Sequence, residues 1–469
     1  MPEQNPPHIP ADIVREVRDA VQNQHEKMRA DLEELVRIPS VSDPAFDQKY
    51  VMESAQRVAE MLREVGMPQV EILRADKPDG APGAPAVIAH RPAQAGRSTV
   101  LLYAHHDVQP PGDEALWDSP VFTPTERDGR IYGRGAADDK AGVVAHLAAL
   151  RVFLGSKLDA GVGVTVLIEG EEEIGSPSMG AFLDKYEDRL AADAVIIADS
   201  INAAVGVPAF TTSLRGLVDL VVEVRTLEQA GHSGLFGGPA PDALTALARL
   251  LATLHDENGD VAVDGLVRNP DPGGLVEETS WRADAQILPG VQLMGTGSLA
   301  QRLWASPALS VLGIDAPPVA GAANILVPSA AAKLSMRVPA GQDPAVAAQL
   351  LKKHLRANAP FGAEVIIKDG ELGKPFSAAQ AHPAMELAKA SFAAGWNHAV
   401  EEIGIGASIP VVADFAQRFP DAAILVTGVE DPGSNAHSPN ESVHWQDLLK
   451  VAVSQALFLS QLTKEEGNN

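Results

Sequence analysis

The stretch TVLLYAHHDVQP, residues 99–110, decides the fold. Thr99–Ala104 is a short apolar run, the pattern of a buried strand. It ends abruptly on His105, His106 and Asp107. Other segments repeat the arrangement. Val162–Ile168 runs into Glu169, Glu171, Glu172 and Glu173, and Ala194–Ala198 runs into Asp199. Ala422–Thr427 is followed ten residues later by His437. The loop GRGAADDKAG (133–142) brings Asp138 and Asp139 to the start of an apolar helix, Ala141–Leu154. Strand and helix alternate here, as in an α/β fold with a mostly parallel sheet. Ligands bind such sheets outside the carboxyl ends of the strands. The acidic and histidine clusters are therefore expected to converge on one site.

Working outward, the spacing of apolar residues predicts an amphipathic helix over 11–37, ended by Pro39, and another over 48–65. The pattern changes near residue 210. Leu217–Val224 and 332–338 read as strands, Pro241–Leu254 and Pro344–Leu355 as helices, and Ala363–Lys368 as a strand, an order that suits an α+β insert. After about residue 378 the earlier style returns, with a helix at Pro383–Ala394 and a long final helix at Trp445–Leu462. The expected architecture is a discontinuous α/β catalytic domain, 1–210 and 379–469, interrupted by an inserted α+β domain, 211–378.

Composition narrows the chemistry. The 469 residues contain no cysteine, which excludes disulfides, thiolate zinc sites, cysteine nucleophiles and iron–sulfur clusters. Any metal must be held by histidines and carboxylates. The net charge of −25 argues against nucleic acid or an anionic membrane as partner. The N-terminal stretch lacks the signature of a signal peptide, and no run of 18 apolar residues occurs, so the expected location is the cytoplasm. Two histidines and three carboxylates, one of them shared, would hold two divalent ions. A spare carboxylate beside them would move the proton. The run Glu171–Glu172–Glu173 supplies neighbouring candidates for ligand and base. His106 alternates with His105 along its strand and is expected to face away; His146 in its apolar helix and His444 read as structural.

The order of these motifs carries a resemblance. RIPSVS (37–42), AHHDVQP (104–110), GRGAADDKAG, EGEEEIGS (169–176), ADS (198–200), HSGLFGG (232–238), SMRVP (335–339) and AHSPNE (436–441) together resemble the co-catalytic zinc metallopeptidase family. Its members include carnosinase-like dipeptidases, glutamate carboxypeptidases and aminoacylases. The resemblance spans nearly the whole chain. It implies that His105 and Asp199 bind one metal, that Glu173 and His437 bind the other, and that Asp138 bridges them. It implies that Asp107 hydrogen-bonds the second nitrogen of His105, and that Glu172 is the general base and later protonates the leaving amine. It also implies a cis peptide at Asp138–Asp139.

In the insert, the resemblance gives His232 a role in stabilising the oxyanion, reaching the partner subunit's site across a homodimer. Arg337 would bind a substrate carboxylate, with Asn324 and Ser408 as further substrate-binding candidates. Ala407 in Gly406-Ala407-Ser408 departs from the family's usual glycine, so the backbone donors of that turn are in doubt. Asp at position 199 and the EGEEEIGS string look more like the dipeptidase branch than the deacylase branches, which usually carry Glu there. The reading is a two-metal dipeptidase acting on peptides with a free carboxylate, using zinc, or else manganese or cobalt. The alternatives are an N-acyl or carbamoyl amino acid amidohydrolase on the same machinery and, in a different class, a non-catalytic peptide-binding protein.

Overall fold

The computed structural model describes residues 7–273, 276–378 and 382–462. Residues 1–6, and the 379 side of the expected second domain boundary, lie outside the described residues. The chain forms two compact units. The first runs through Thr211 and resumes with Ala378–Ile403 and from Pro410 onward. The second comprises Thr212–Ser377 and a short return, Gly404–Ile409, which carries Ser408.

The first unit is built on a six-stranded sheet. Its order is Glu71–Leu73, Ala86–Arg91, Gly163–Glu169, Thr99–His105, Ala194–Ile197 and Ala423–Val426. The last four strands are mutually parallel, and the first two are antiparallel additions. The parallel strands are apolar because both faces are covered. Every residue of Gly163–Glu169 is buried. Helix Lys140–Phe153 is likewise buried on nearly all sides, and Trp445–Gln461 packs against it and against Pro383–Trp396. The amphipathic N-terminal segment is two helices, Ala11–Asn23 and His25–Val36, rather than one. They break at Gln24, whose side chain donates to the carbonyl of Ala148 at 3.0 Å. A long-range bond thus fixes the bend.

The second unit is an antiparallel sheet ordered Ala308–Asp315, Ser329–Val338, Gly216–Arg225 and Glu364–Gly373, backed by helices Ala243–Ala252 and Pro344–Ala357. One face supplies a core that includes Val218, Leu220, Leu334 and Met336. The strand Ala308–Asp315 escaped sequence reading because most of it is exposed on the sheet edge, so its residues lack a clear alternation. Among the described residues, no helix is long and apolar enough to cross a membrane.

At the carboxyl ends of the first unit's strands, backbone contacts continue past the sheet. Thr427 N donates to Ile197 O, and Asn202 N donates to Glu430 O. The chain at Gly428 crosses so close to Ser200 that an added Cβ would lie 1.7 Å from its carbonyl oxygen. Gly428→Ala should therefore prise the Asp199 turn from its neighbour and destabilise the first unit by about 1–3 kcal/mol, the usual cost of overpacking. Urea denaturation followed by circular dichroism checks this; an unchanged midpoint would show that the turn yields freely.

Candidate metal centre

The four parallel strands deliver their polar ends to one edge. His105 closes the strand Thr99–His105, and its side chain is fully buried. Asp138 sits in the GRGAADD loop, just before helix Lys140–Phe153, and the peptide bond Asp138–Asp139 is cis. Glu172 and Glu173 begin a single turn of 3-10 helix after Gly163–Glu169. Asp199 follows Ala194–Ile197, and His437 lies in the loop beyond Ala423–Val426.

These side chains form two groups that share one carboxylate. His105 Nε2 is 2.9 Å from Asp138 Oδ1 and 3.9 Å from Asp199 Oδ1. His437 Nε2 is 2.9 Å from Asp138 Oδ2 and 3.2 Å from Glu173 Oε2. Within each group the candidate ligand atoms lie within 4.8 Å of one another. Two imidazoles and three carboxylates, at the strand ends and on the loops beside them, form a donor set that fits divalent metal ions.

The electrostatics are those of a site short of positive charge. Burial works against ionisation of Asp138, but hydrogen bonds from His105 and His437 hold its carboxyl well below the usual range. Burial and the neighbouring Asp138 push Glu173 up to about 7. Burial and Asp138 likewise raise Asp199 to about 6, against the pull of His105. Burial and then the charge of Asp199 carry Glu172 well above the ordinary carboxylate value. Hydrogen bonds to Asp138 and Glu173 raise His437 to about 11.

A set of supporting contacts fixes the groups, several from residues the sequence did not mark. The Asp107 carboxylate accepts from the backbone N–H of Glu172 at 3.2 Å and of Glu173 at 3.1 Å. It therefore holds the acidic turn in place. His105 Nδ1 lies 3.0 Å from the carbonyl oxygen of Asp107 and 3.4 Å from its carboxylate, so the backbone is the nearer partner. Gln109 donates from its backbone N–H to Glu173 Oε1 at 3.1 Å and from its side chain to Oε2 at 2.8 Å. Glu441 accepts from the N–H groups of Gly135, Ala137 and Asp138, and pairs with the buried Arg134 at 2.6 Å. Only the strand-end position of Gln109, two residues after Asp107, could have drawn attention to it. Glu441 has no local signal, since its partners lie some three hundred residues away.

The other histidines lie elsewhere. His106 Nε2 donates to Pro85 O on the far side of the strand, and burial lowers its pKa to about 4. His146 bridges Gln455 and the Tyr103 carbonyl in the core. His444 lies beside Asp447 at 3.4 Å.

In the second unit, His232 is exposed and caps the short helix Ser233–Phe236, its Nδ1 accepting from Gly234 N. Asn324 is exposed next to it in space, its carbonyl accepting from Ser233 N at 3.1 Å. Arg337 Nη1 lies 3.4 Å from Ser408 Oγ. Arg215, which sequence reading passed over, donates to the carbonyl of Gly406 and to that of Ser306. Burial, then the charge of Arg337, lowers its pKa to about 10. Two adjacent guanidinium groups and a hydroxyl make this corner attractive to an anion.

Paired histidine–carboxylate groups beyond the strand ends of an α/β sheet are the arrangement a metal-dependent hydrolase can use. Residues 101–461 match the model of peptidase family M20/M25/M40. A cysteinylglycine-S-conjugate dipeptidase of Corynebacterium striatum is 37% identical over 412 residues, covering 87% of this chain and 89% of that protein. A Beta-Ala-His dipeptidase of Mus musculus is 27% identical, covering 88% of this chain and 87% of the other. The crystal structure of human carnosine dipeptidase 1 is similar with a TM-score of 0.78 at 24% identity, covering 97% of this chain and 99% of that one. That likeness establishes the shared fold. The chain belongs to peptidase family M20/M25/M40. Its relatives and its site together support a metal-dependent dipeptidase.

A metal-free site with raised pKa values must release protons when an ion enters. Asp199 at about 6, Glu173 at about 7 and His437 at about 11 all hold protons more tightly than usual. Metal affinity should therefore rise with pH, most steeply below about pH 6, where all three groups still hold protons, and more gently above about pH 7, where His437 alone has one to lose. Isothermal titration calorimetry in buffers of different ionisation enthalpy should report net proton release. Affinity independent of pH across this window would contradict the assignment.

Proposed function

We propose that the chain hydrolyses dipeptides bearing a free carboxylate, using two divalent ions. His105 and Asp199 would hold one, Glu173 and His437 the other, and Asp138 both. The observation that carries this reading is the Asp138 carboxylate, with one oxygen facing each histidine at 2.9 Å. The donor set suits zinc, and manganese or cobalt could replace it. When bound, such ions polarise a carbonyl and lower the pKa of water.

The remaining steps belong to side chains of this chain. Glu172 takes the proton from the attacking water on its carboxylate and returns it to the leaving nitrogen. Its upward-shifted pKa suits a group that must hold a proton and then release it. Asp107 keeps Glu172 and Glu173 in register through their backbone N–H groups. Arg337, with Ser408 beside it, would receive the substrate carboxylate, and Arg215 would hold the turn that carries Ser408. His232 would donate to the developing oxyanion across a homodimer, with Asn324 beside it. The second unit would act as lid and dimerisation domain, and the proposed location is the cytoplasm. The dipeptidase names of the relatives support the peptide substrate over an N-acyl or carbamoyl amide. The presence of Glu172 together with all five candidate ligands favours a catalyst over a peptide-binding protein.

A dipeptide panel assayed with the wild type and Glu172→Gln tests the mechanism. The variant should keep its metal content and lose about 10²–10⁴-fold in kcat, the range expected of a general base. Full activity in Glu172→Gln would falsify the role. N-acetyl amino acids in the same panel should be turned over more slowly than dipeptides; the reverse order would move the assignment to the amidohydrolases.

A shared site makes a separate prediction. Inactive His232→Ala and Glu172→Ala proteins, mixed and allowed to exchange subunits, should recover part of the activity through hybrid dimers. Exchange without recovery would remove His232 from the partner's site.

A further inference from the structure

His437 differs from the other candidate ligands in what holds it. It is 58% exposed, whereas the side chains of Asp138, Glu173 and His105 are nearly inaccessible. It sits in a segment, 431–441, that has neither helix nor strand. Three of its residues, Asn435, His437 and Asn440, have φ of 53°, 61° and 62°. A histidine in the left-handed region is uncommon and persists only where its surroundings enforce it. The His437 side chain does not supply that enforcement, because its contacts with Asp138 and Glu173 are the ones an ion would replace.

The two ends of the segment are joined through one arginine. Arg130, in strand Arg130–Tyr132, forms a fork on Asp431 with contacts of 3.2 and 2.9 Å. The same guanidinium donates to Ser434 Oγ at 3.2 Å, to Ser442 Oγ at 2.8 Å and to the Ser442 carbonyl at 3.0 Å. Asp431 in turn accepts from Gly433 N at 2.8 Å, closing the first turn of the loop. Arg130 and Asp431 are both largely buried, so the pair is held in a fixed, two-pronged geometry. A second ion pair, Arg134–Glu441, ties the end of the same segment to the GRGAADD loop, but Glu441 also holds the backbone of Asp138, the carboxylate common to both groups, so its loss would disturb both.

We infer that the Arg130–Asp431 pair is the positioning device that presents His437, and that it governs occupancy of the Asp138–Glu173–His437 group alone. The inference rests on the two-ion reading above. Neither residue is a candidate ligand; each acts through the path of the chain on either side of His437. A supporting residue of this kind typically changes metal affinity by about 10–100-fold.

The test titrates zinc into metal-free full-length protein by calorimetry and measures bound zinc after dialysis. The wild type should take up two equivalents. Arg130→Gln and Asp431→Asn should each keep one equivalent at wild-type affinity and weaken the other by at least about tenfold. His437→Ala should do the same, and adding Arg130→Gln to His437→Ala should weaken zinc binding no further, since both act on one ligand. Arg130→Lys, which keeps the charge but not the fork, should fall between wild type and Arg130→Gln. If Arg130→Gln does not fold, the nearly isosteric Asp431→Asn carries the comparison. Equal weakening of both equivalents, additive losses in the double variant, or unchanged affinities would overturn the clamp. One equivalent in the wild type would instead overturn the two-ion reading on which it rests.

Discussion

The structure turns on a single carboxylate. Asp138 places one oxygen on His105 and the other on His437, each at 2.9 Å. A carboxylate shared by both candidate groups demands that residues over three hundred positions apart agree closely in placement. The sheet meets most of that demand. Parallel register places His105 level with Glu169, and Tyr103 level with Ile197, so the polar strand ends emerge together. Like charges crowd the centre, and burial, then repulsion from Asp138, raises the pKa values of Glu173 and Asp199. Cations relieve that repulsion, which is the electrostatic logic of a metallopeptidase.

Around this centre, buried polar groups hold loops rather than strengthen the core. Arg134 and Glu441 are almost inaccessible, yet each carboxylate oxygen of Glu441 is used by backbone N–H groups. Lys140 is fully buried and donates to the carbonyls of Leu35 and Ile38, both at 2.7 Å; burial lowers its pKa to about 7. Burying charge is costly unless every partner is supplied. These residues therefore contribute geometry: they tie the RIPSVS segment and the AHSPNE loop to the GRGAADD loop between them.

Much of this was legible in the sequence, for physical reasons. A buried parallel strand must be apolar, so a histidine or carboxylate at its end stands out. That contrast exposed His105, Asp199 and the acidic turn. What remained hidden depends on contacts distant in sequence. The bend at Gln24 comes from a bond to Ala148, and the roles of Arg130, Glu441 and Arg215 come from partners that no local pattern reveals. The strand Ala308–Asp315 was missed because an exposed edge relaxes the alternation that marks a strand. The Asp107 carboxylate was expected on His105, but two backbone N–H groups are its closer partners. Sequence named the residue; only coordinates could rank its bonds.

The scatter of ligands along the chain also bears on how the protein is made. Synthesis runs from the N-terminus, and early segments begin to fold while later ones are still to come. By the time Asp199 has been added, four of the five candidate ligands exist. The strand that borders Ala194–Ile197, Ala423–Val426, does not yet exist, and neither does His437. The second unit is likewise incomplete until Gly404–Ile409 has emerged. An ion that needs His437 can thus be captured only after that residue has been added. Until then the nascent chain carries four of the candidate ligands without the fifth, and metal arriving early would find an incomplete set of donors.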